Sequence, residues 1–409
     1  MASLFGWLDH SERDRRRMLE VVDLFRETDI LDELGIGSVR DAFANLLFPG
    51  LSTIQTRARY FLFIPWVYED LERRHVSSAA IRRRAREAEV ALIEALVTGG
   101  EGRNDGVIGI ASRQALKRLP STIYWLGLRT FGIRLFHGSI EQYHRSLDGF
   151  HRQARTVLRT DDGEPVDGPV PGNWHAGLPP MPDDLLSRAT FRLTPGEAEY
   201  LEERILASVP RSLLAFLVGQ RRPVEGSAFP WELGQLPGEL GMQVRHARNF
   251  SEAMHGASLL YNLLLAERAG EDELMEEYRD RIGTWRTLLQ TREAELEEWD
   301  RSAFWELVLG TRARVPSPAR QFISEWLRIA LASAGNVADA EPARQLIRER
   351  ELRLKGKQAR LFNQDALDRW NGYAGVRQLE FRWSNAVRIL EDIRAGLRGE
   401  SVEAADARA

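Results

Sequence analysis

Glu-x-x-His at helical spacing sets a carboxylate and an imidazole on one helix face, the arrangement used pairwise in four-helix di-metal carboxylate centres. Two such pairs are present, Glu141/His144 and Glu252/His255, and Glu94 with Glu202 or Glu203 would complete a four-helix set. A third pair, Glu72/His75, encloses Arg73 and Arg74, whose charges oppose a cation there. His137, Glu141, His144, Asp148 and His151 form one longer stripe. Histidines seven apart lie about 10 Å apart along a helix axis, too far to share one ion, so this stripe reads as a polar face. A different chemistry attaches to Arg248-Asn249-x5-His255. An arginine can neutralise a phosphate while a histidine moves a proton, which together suffice for RNA cleavage without metal. A buried ion-pair network explains the stripe Arg245, Arg248, Glu252, His255 and Asn262 equally well.

Two further groups of arginine and lysine bear on binding. Residues 344–370 concentrate two of the three lysines, and Arg353, Lys355, Lys357 and Arg360, with Arg382 beyond them beside Phe381 and Trp383, could hold a nucleic-acid backbone. A solvated helix face with pairs such as Glu349/Arg353 is the competing account. In STIQTRARYFLFIPW, residues 52–66, Arg57 and Arg59 precede a dense apolar block. On a helix that block is apolar all round and therefore buried, and Pro65 kinks or restarts the helix. An arginine entering a core needs a carboxylate or an anionic ligand, so Arg57 and Arg59 are candidates for an ion pair or an anion site.

The elements that must position these residues show a 3.6-residue period, without alternating strands. Ser11 can cap a helix to about Glu27; Ser38 with Asp41 resembles a capping box, and Pro49-Gly50 ends the helix it opens. Ser52 or Thr53 starts the next helix, and others are expected over Ser77–Val97, PSTIYWLGLRTFG and Ser139–Leu158. GGEGRNDGVIG is a loop. Thr194-Pro195-Gly196-Glu197 is the clearest helix start: a cap, proline at the first position and glutamate at the third. Helices continue through PRSLLAFLV, 237–268, 271–298 and 317–333, then a basic helix, a turn near Asn371-Gly372 and a final helix.

Composition narrows the chemistry. The chain of 409 residues has no cysteine, which removes disulfides, zinc-thiolate sites, iron–sulfur clusters and thiol nucleophiles. No GxxxxGK[ST], HExxH, GxSxG or strand-borne GxGxxG occurs. The net charge of −4 hides an asymmetry: 12 acids against 5 bases in 267–300, and 7 bases against 3 acids in 341–360. The longest apolar run, YFLFIPWVY, is far shorter than the ~20 residues that span a bilayer, and the apolar stretch of MASLFGWLDHSERDRRR is too short for a secretory signal.

Two resemblances follow from these residues. Arg248-Asn249-x5-His255 resembles the R-x(4–6)-H motif of HEPN domains, all-helical folds that often cleave RNA without metal, with the arginine and histidine acting at the scissile phosphate. GWLDHSE (6–12), LLFPGLSTIQTRARYFLFIPWVY (46–68), LKGKQARLFN (354–363) and FRW (381–383) resemble an uncharacterised bacterial family known as a domain of unknown function, across most of the chain. Phe381 stands where that pattern more often has tyrosine. The family supplies no catalytic residues to carry over. The resemblance implies an association with defence loci that contain helicases and nucleases.

The expected fold is all-α and multi-helical: an N-terminal helical domain 1–159, a Pro/Gly-rich linker or long loop 160–193 pinned by Trp174, a central helical domain 194–340, a basic C-terminal helical region 341–397 and a frayed tail 398–409. The expected function is non-enzymatic. The chain would be a cytoplasmic component of a bacterial defence or DNA-processing complex, binding protein partners such as a helicase or nuclease, and nucleic acid through Arg353, Lys355, Lys357, Arg360 and Arg382. No cofactor or resident metal is expected. The alternatives are a HEPN-like ribonuclease using Arg248 and His255 and, behind it, a di-metal helical enzyme using Glu141/His144 and Glu252/His255.

Overall fold

The computed structural model describes residues 32–155, 172–332 and 336–399. The fold is all-α: among the described residues every regular element is helical, and the only extended pairing is an isolated bridge between Arg134 and Trp174. The helix expected from Ser11, part of the 160–193 break and most of the tail lie outside the described residues. Contacts group the helices into two units. One takes the described residues up to Ala42 together with Arg245–Leu379; the other takes Phe43–Val244 and the residues from Glu380. Both are discontinuous in the chain, whereas the segments expected above follow chain order.

The unit built on Phe43–Val244 contains the C-terminal part of α1 (Gly37–Leu47), then α2 (Tyr60–Arg73), α3 (Ile81–Thr98), α4 (Pro120–Thr130), α5 (Ile140–Arg155), α6 (Pro195–Ser208), α7 (Leu213–Gly219) and α15 (Trp383–Leu397). The helix α1 starts where the Asp32 carboxylate accepts from the Ile36 and Gly37 amides, both at 2.7 Å, so Asp32 fills the capping role that the sequence suggests for Ser38. As its composition requires, α2 is buried around its whole circumference from Tyr60 to Tyr68, and it continues through Pro65. It begins at Tyr60 rather than at Ser52 or Thr53, because distant side chains take the preceding amides. The Tyr124 hydroxyl accepts from the Thr56 and Arg57 amides and donates to the Arg57 carbonyl, and Asp392 accepts from the Ala58 amide.

Both arginines of this stretch meet carboxylates. Arg57 donates to Asp392 through Nε at 3.0 Å and Nη2 at 2.7 Å, and its guanidinium lies 4.6 Å from the Phe191 ring centroid. Burial pushes the Asp392 carboxyl up. Burial also works against the Arg57 charge, yet Asp392 leaves the guanidinium above its ordinary value. Arg59 donates to Glu197 Oε1 at 2.8 Å and to the Thr190 carbonyl at 2.9 Å. Glu197 Oε2 meanwhile accepts from the Thr194 amide, so α6 opens on the full Thr194/Glu197 capping box, with Pro195 in its first turn. The described part of the Pro/Gly-rich break, 172–193, is an ordered loop. Trp174 is buried in it and donates to Glu72 Oε1 at 3.1 Å, and Trp66 donates to the Pro179 carbonyl at 2.6 Å.

The second unit is organised around α8 (Gly238–Ala269), whose first residues belong to the other unit. It adds α9 (Asp272–Thr291), α10 (Glu293–Glu297), α11 (Arg301–Gly310), α12 (Ser317–Ala332), α13 (Glu341–Lys355) and the short α14 (Gln364–Leu367). Gly256 gives the Trp285 indole its place: a Cβ there would collide with the ring, which donates to the Glu252 carbonyl at 2.7 Å. Trp326 of α12 donates likewise to the Ala253 carbonyl at 2.9 Å. The sequence reading has no helix at α11; Asp300 caps it, accepting from the Ser302 and Ala303 amides at 2.9 Å.

One buried acid in the first unit has no arginine bonded to it. Glu89 of α3 accepts from the Ser121 amide and hydroxyl, both at 2.8 Å, at the start of α4. Burial pushes its carboxyl up to about 7. The folded protein therefore keeps this proton at pH values where the unfolded chain has released it. The contribution is complete below the ordinary value of 4.5 and is lost as pH rises through about 7. Glu89→Gln, which mimics the protonated acid, is expected to remove this loss, worth up to about 3 kcal/mol. Urea unfolding at about pH 5 and about pH 8 should show wild type losing more stability than the variant; parallel losses would refute the assignment.

Candidate anion-binding pocket

The basic helix α13 turns Ala343, Ile347, Arg350 and Glu351 inward, the spacing of one helical face, although two of the four are charged. Each charge is answered differently. Arg350 donates through Nε to the Leu34 carbonyl at 2.8 Å, through Nη1 to that of Pro318 at 3.1 Å, and through Nη2 to that of Gly35 at 3.1 Å. Its guanidinium lies 5.0 Å from the Phe322 ring centroid. Gly35 has φ +66°, and a Cβ on it would run into the Arg350 guanidinium, so only glycine suits that turn. Burial pushes Arg350 below its ordinary value.

Glu351 is fully buried. It accepts from the Arg360 amide at 2.9 Å, the Leu361 amide at 3.0 Å, the Tyr261 hydroxyl and Lys355 Nζ at 3.3 Å. Lys355 and Arg360 Nη1 also donate to Glu33, and both reach the Tyr261 oxygen. Burial and Glu351 push the Tyr261 hydroxyl well above its ordinary range, so it stays a donor. Two carboxylates, one ammonium, one guanidinium and a phenol thus form a closed knot, with α13 ending at Gly356 (φ +51°) between Lys355 and Arg360.

A cavity of about 440 Å³ lies beside this knot, and Arg314, Arg350, Arg353, Asp32 and Ser38 supply its polar lining. Arg314 and Arg353 are exposed, while Arg350 forms part of the wall. Asp32 is the one carboxylate of the lining, and both of its oxygens already accept backbone amides. Three arginines therefore face one aspartate whose negative charge is already shared with the start of α1.

The residues singled out from sequence fall into separate groups. Arg353 reaches the cavity and Lys357 is exposed, whereas Lys355 and Arg360 are engaged in the knot. Arg382 belongs to the other unit, with φ +69°, donating to Asn45 Oδ1 and the Leu51 carbonyl, both at 2.7 Å. Arg57 and Arg59 hold carboxylates, as described. On α8, Arg248 donates to Glu252 Oε1 at 2.8 Å, Glu252 also pairs with the buried Arg292, and Arg292 donates to Asn249 Oδ1 at 2.9 Å. The ring Nε2 of His255 lies 3.1 Å from the Val376 carbonyl oxygen, and burial, helped by Arg281, pushes the imidazole down to about 4. Glu141 is exposed beside Arg82, while His144 stacks on Tyr68. Glu94, Glu202 and Glu203 pair with Arg113, Arg221 and Arg204. Among the described residues no group of three or more histidines and carboxylates is assembled that could hold a metal ion, so the four-helix set is not brought together.

Arg314, Arg350 and Asp32 are the site residues that sequence reasoning passes over. Arg350 leaves a signal, because its place on the inward stripe of α13 is incompatible with a solvated charge. Arg314 leaves none.

What these features define is a helical protein with an arginine-lined cavity. The chain belongs to the family of unknown function DUF6361, whose model matches residues 2–396. No curated protein and no solved structure matches it. No helix among the described residues is long and apolar enough to cross a membrane.

The knot separates two lysines that sequence treats alike. Lys355→Met removes one donor from each of Glu33 and Glu351 and is expected to cost roughly 1–3 kcal/mol, read as a lower urea midpoint. Lys357→Met, at an exposed position, is expected to stay within about 0.5 kcal/mol of wild type. Equal effects would contradict the structural role of Lys355.

Proposed function

We propose that the protein is a non-catalytic binding component that engages the phosphate backbone of nucleic acid through the exposed edge of α13. In this reading Arg353 and Lys357, with Arg314 across the cavity, supply the cations. Lys355 and Arg360 act as positioning residues by fixing the end of α13. The observation that carries it is the pairing pattern: most arginines named above are closed by carboxylates or carbonyls, while Arg314 and Arg353 line a cavity whose single carboxylate is already bonded. Exposed guanidiniums without a bonded carboxylate bind phosphate with little desolvation cost and lose affinity steeply with salt. We place the protein in the cytoplasm, in a bacterial defence or DNA-processing complex alongside protein partners such as a helicase or nuclease. The exposed face of the acidic 271–298 segment is the surface offered to those partners.

A HEPN-like ribonuclease remains the second reading. Arg248 and His255 lie two turns apart on α8, which places them on one face. The half-buried His255 is neutral at pH 7, but an imidazole pushed down to about 4 is a weak base for such chemistry. Both side chains would have to leave Glu252 and the Val376 carbonyl to reach a phosphate, which weighs against this reading.

Fluorescence anisotropy with short labelled oligonucleotides tests both. Wild type should bind at low salt, and Arg314→Glu with Arg353→Glu should lower affinity at least tenfold and flatten the salt dependence. Lys357→Ala should have a smaller effect in the same direction. Binding indifferent to the double charge reversal would sink the proposed interface. RNA cleavage in EDTA that His255→Ala abolishes would replace it with the ribonuclease.

A further inference from the structure

We infer that the cavity between Arg314 and Arg353 takes a single nucleotide that carries a terminal phosphate, either free or at the end of a single strand. The inference rests on the nucleic-acid reading above and narrows it. Three features of the cavity point to a phosphomonoester. First, charge: an internal phosphodiester carries one negative charge, whereas a terminal phosphate carries about −1.5 to −2 at neutral pH. Three arginines against one aspartate match the larger charge. Second, geometry: a terminal phosphate offers three free oxygens. Two exposed guanidiniums can each present paired N–H donors to them, while Arg350, its three donor nitrogens engaged by carbonyls, supplies fixed charge behind. Third, size: about 440 Å³ falls within the ~300–1,000 Å³ of small-molecule sites. A duplex keeps its nucleosides paired and stacked, so it cannot lay one against the lining together with its phosphate as a free nucleotide or strand end can.

Asp32 fits the same ligand. Each of its oxygens accepts one amide and keeps a second lone pair. A sugar hydroxyl or base amino group can donate to it, as can the Ser38 hydroxyl beside it. An acceptor carboxylate in the same lining as the arginines favours a nucleotide, whose sugar and base add donors that inorganic phosphate lacks.

The test uses the full chain and four probes: a single strand with a 5′-phosphate, the same strand with a 5′-hydroxyl, a blunt hydroxyl-ended duplex, and a nucleoside 5′-monophosphate as competitor. The phosphorylated strand should bind at least tenfold more tightly than the other two oligonucleotides. Arg314→Glu/Arg353→Glu should abolish that preference, and Asp32→Asn should weaken the phosphorylated strand less than the charge reversals do. Both arginines are exposed, so the variants should fold, which thermal unfolding verifies. Competition by the monophosphate at a concentration similar to that of the strand identifies the free nucleotide as the occupant; weak competition identifies the strand end. Equal affinity for phosphorylated and hydroxyl ends overturns this inference while leaving backbone binding intact. Absence of binding to every probe overturns both.

Discussion

A guanidinium removed from water must be met by a partner, and the described fold is arranged around meeting that demand. Arg57 and Asp392 are 335 residues apart, yet they close on each other inside one unit. Leaving either alone would strand a buried charge, at a cost of several kcal/mol. The carboxylates serve twice. Asp392 holds the Ala58 amide as well as Arg57, Glu197 completes the capping box of α6 as well as pairing Arg59, and Glu351 holds the Arg360 and Leu361 amides as well as Lys355. Neutralising a cation and fixing a length of backbone thus become one act. The stretches 46–68 and 354–363 supply Arg57, Arg59, Lys355 and Arg360 to these knots.

That arrangement explains which parts of the structure the sequence discloses. Local chemistry is legible: Thr194-Pro195-Gly196-Glu197 opens a helix as it must, and Tyr60–Tyr68 is buried because it is apolar in every direction. Elements set by distant partners are not. The start of α2 depends on the Tyr124 hydroxyl and Asp392, neither of which a reader of residues 52–60 can see. Asp32 displaces Ser38 as a cap for a similar reason, since an aspartate reaching two amides ahead of the helix leaves no periodic trace.

The candidate site shows the same division. Basic clustering in 341–360 is visible in the sequence, but it groups side chains with opposite fates. Lys355 and Arg360 turn toward Glu33 and Glu351, Arg350 is sunk among carbonyls, and Arg353 alone of the helix reaches the cavity as an exposed guanidinium. Arg314 joins it from a loop with no periodicity to mark it. Charge counting finds the region, and pairing decides which of its charges remain available to a ligand. The Arg248/His255 spacing illustrates the converse: residue types suited to catalysis are present on one helix face, but each is committed to a neighbour.

Arginines drawn out of water, such as the half-buried Arg57, are closed by the protein's own carboxylates and are not ligand sites. A double-mutant cycle on Arg57→Met and Asp392→Asn, followed by urea unfolding with and without phosphate, addresses this directly. Each single variant should lose about 2–4 kcal/mol, and the double variant should lose clearly less than their sum, with a coupling above about 1 kcal/mol. Phosphate should not change that coupling. Additive losses, or wild-type stabilisation by phosphate that disappears in Arg57→Met, would contradict the account.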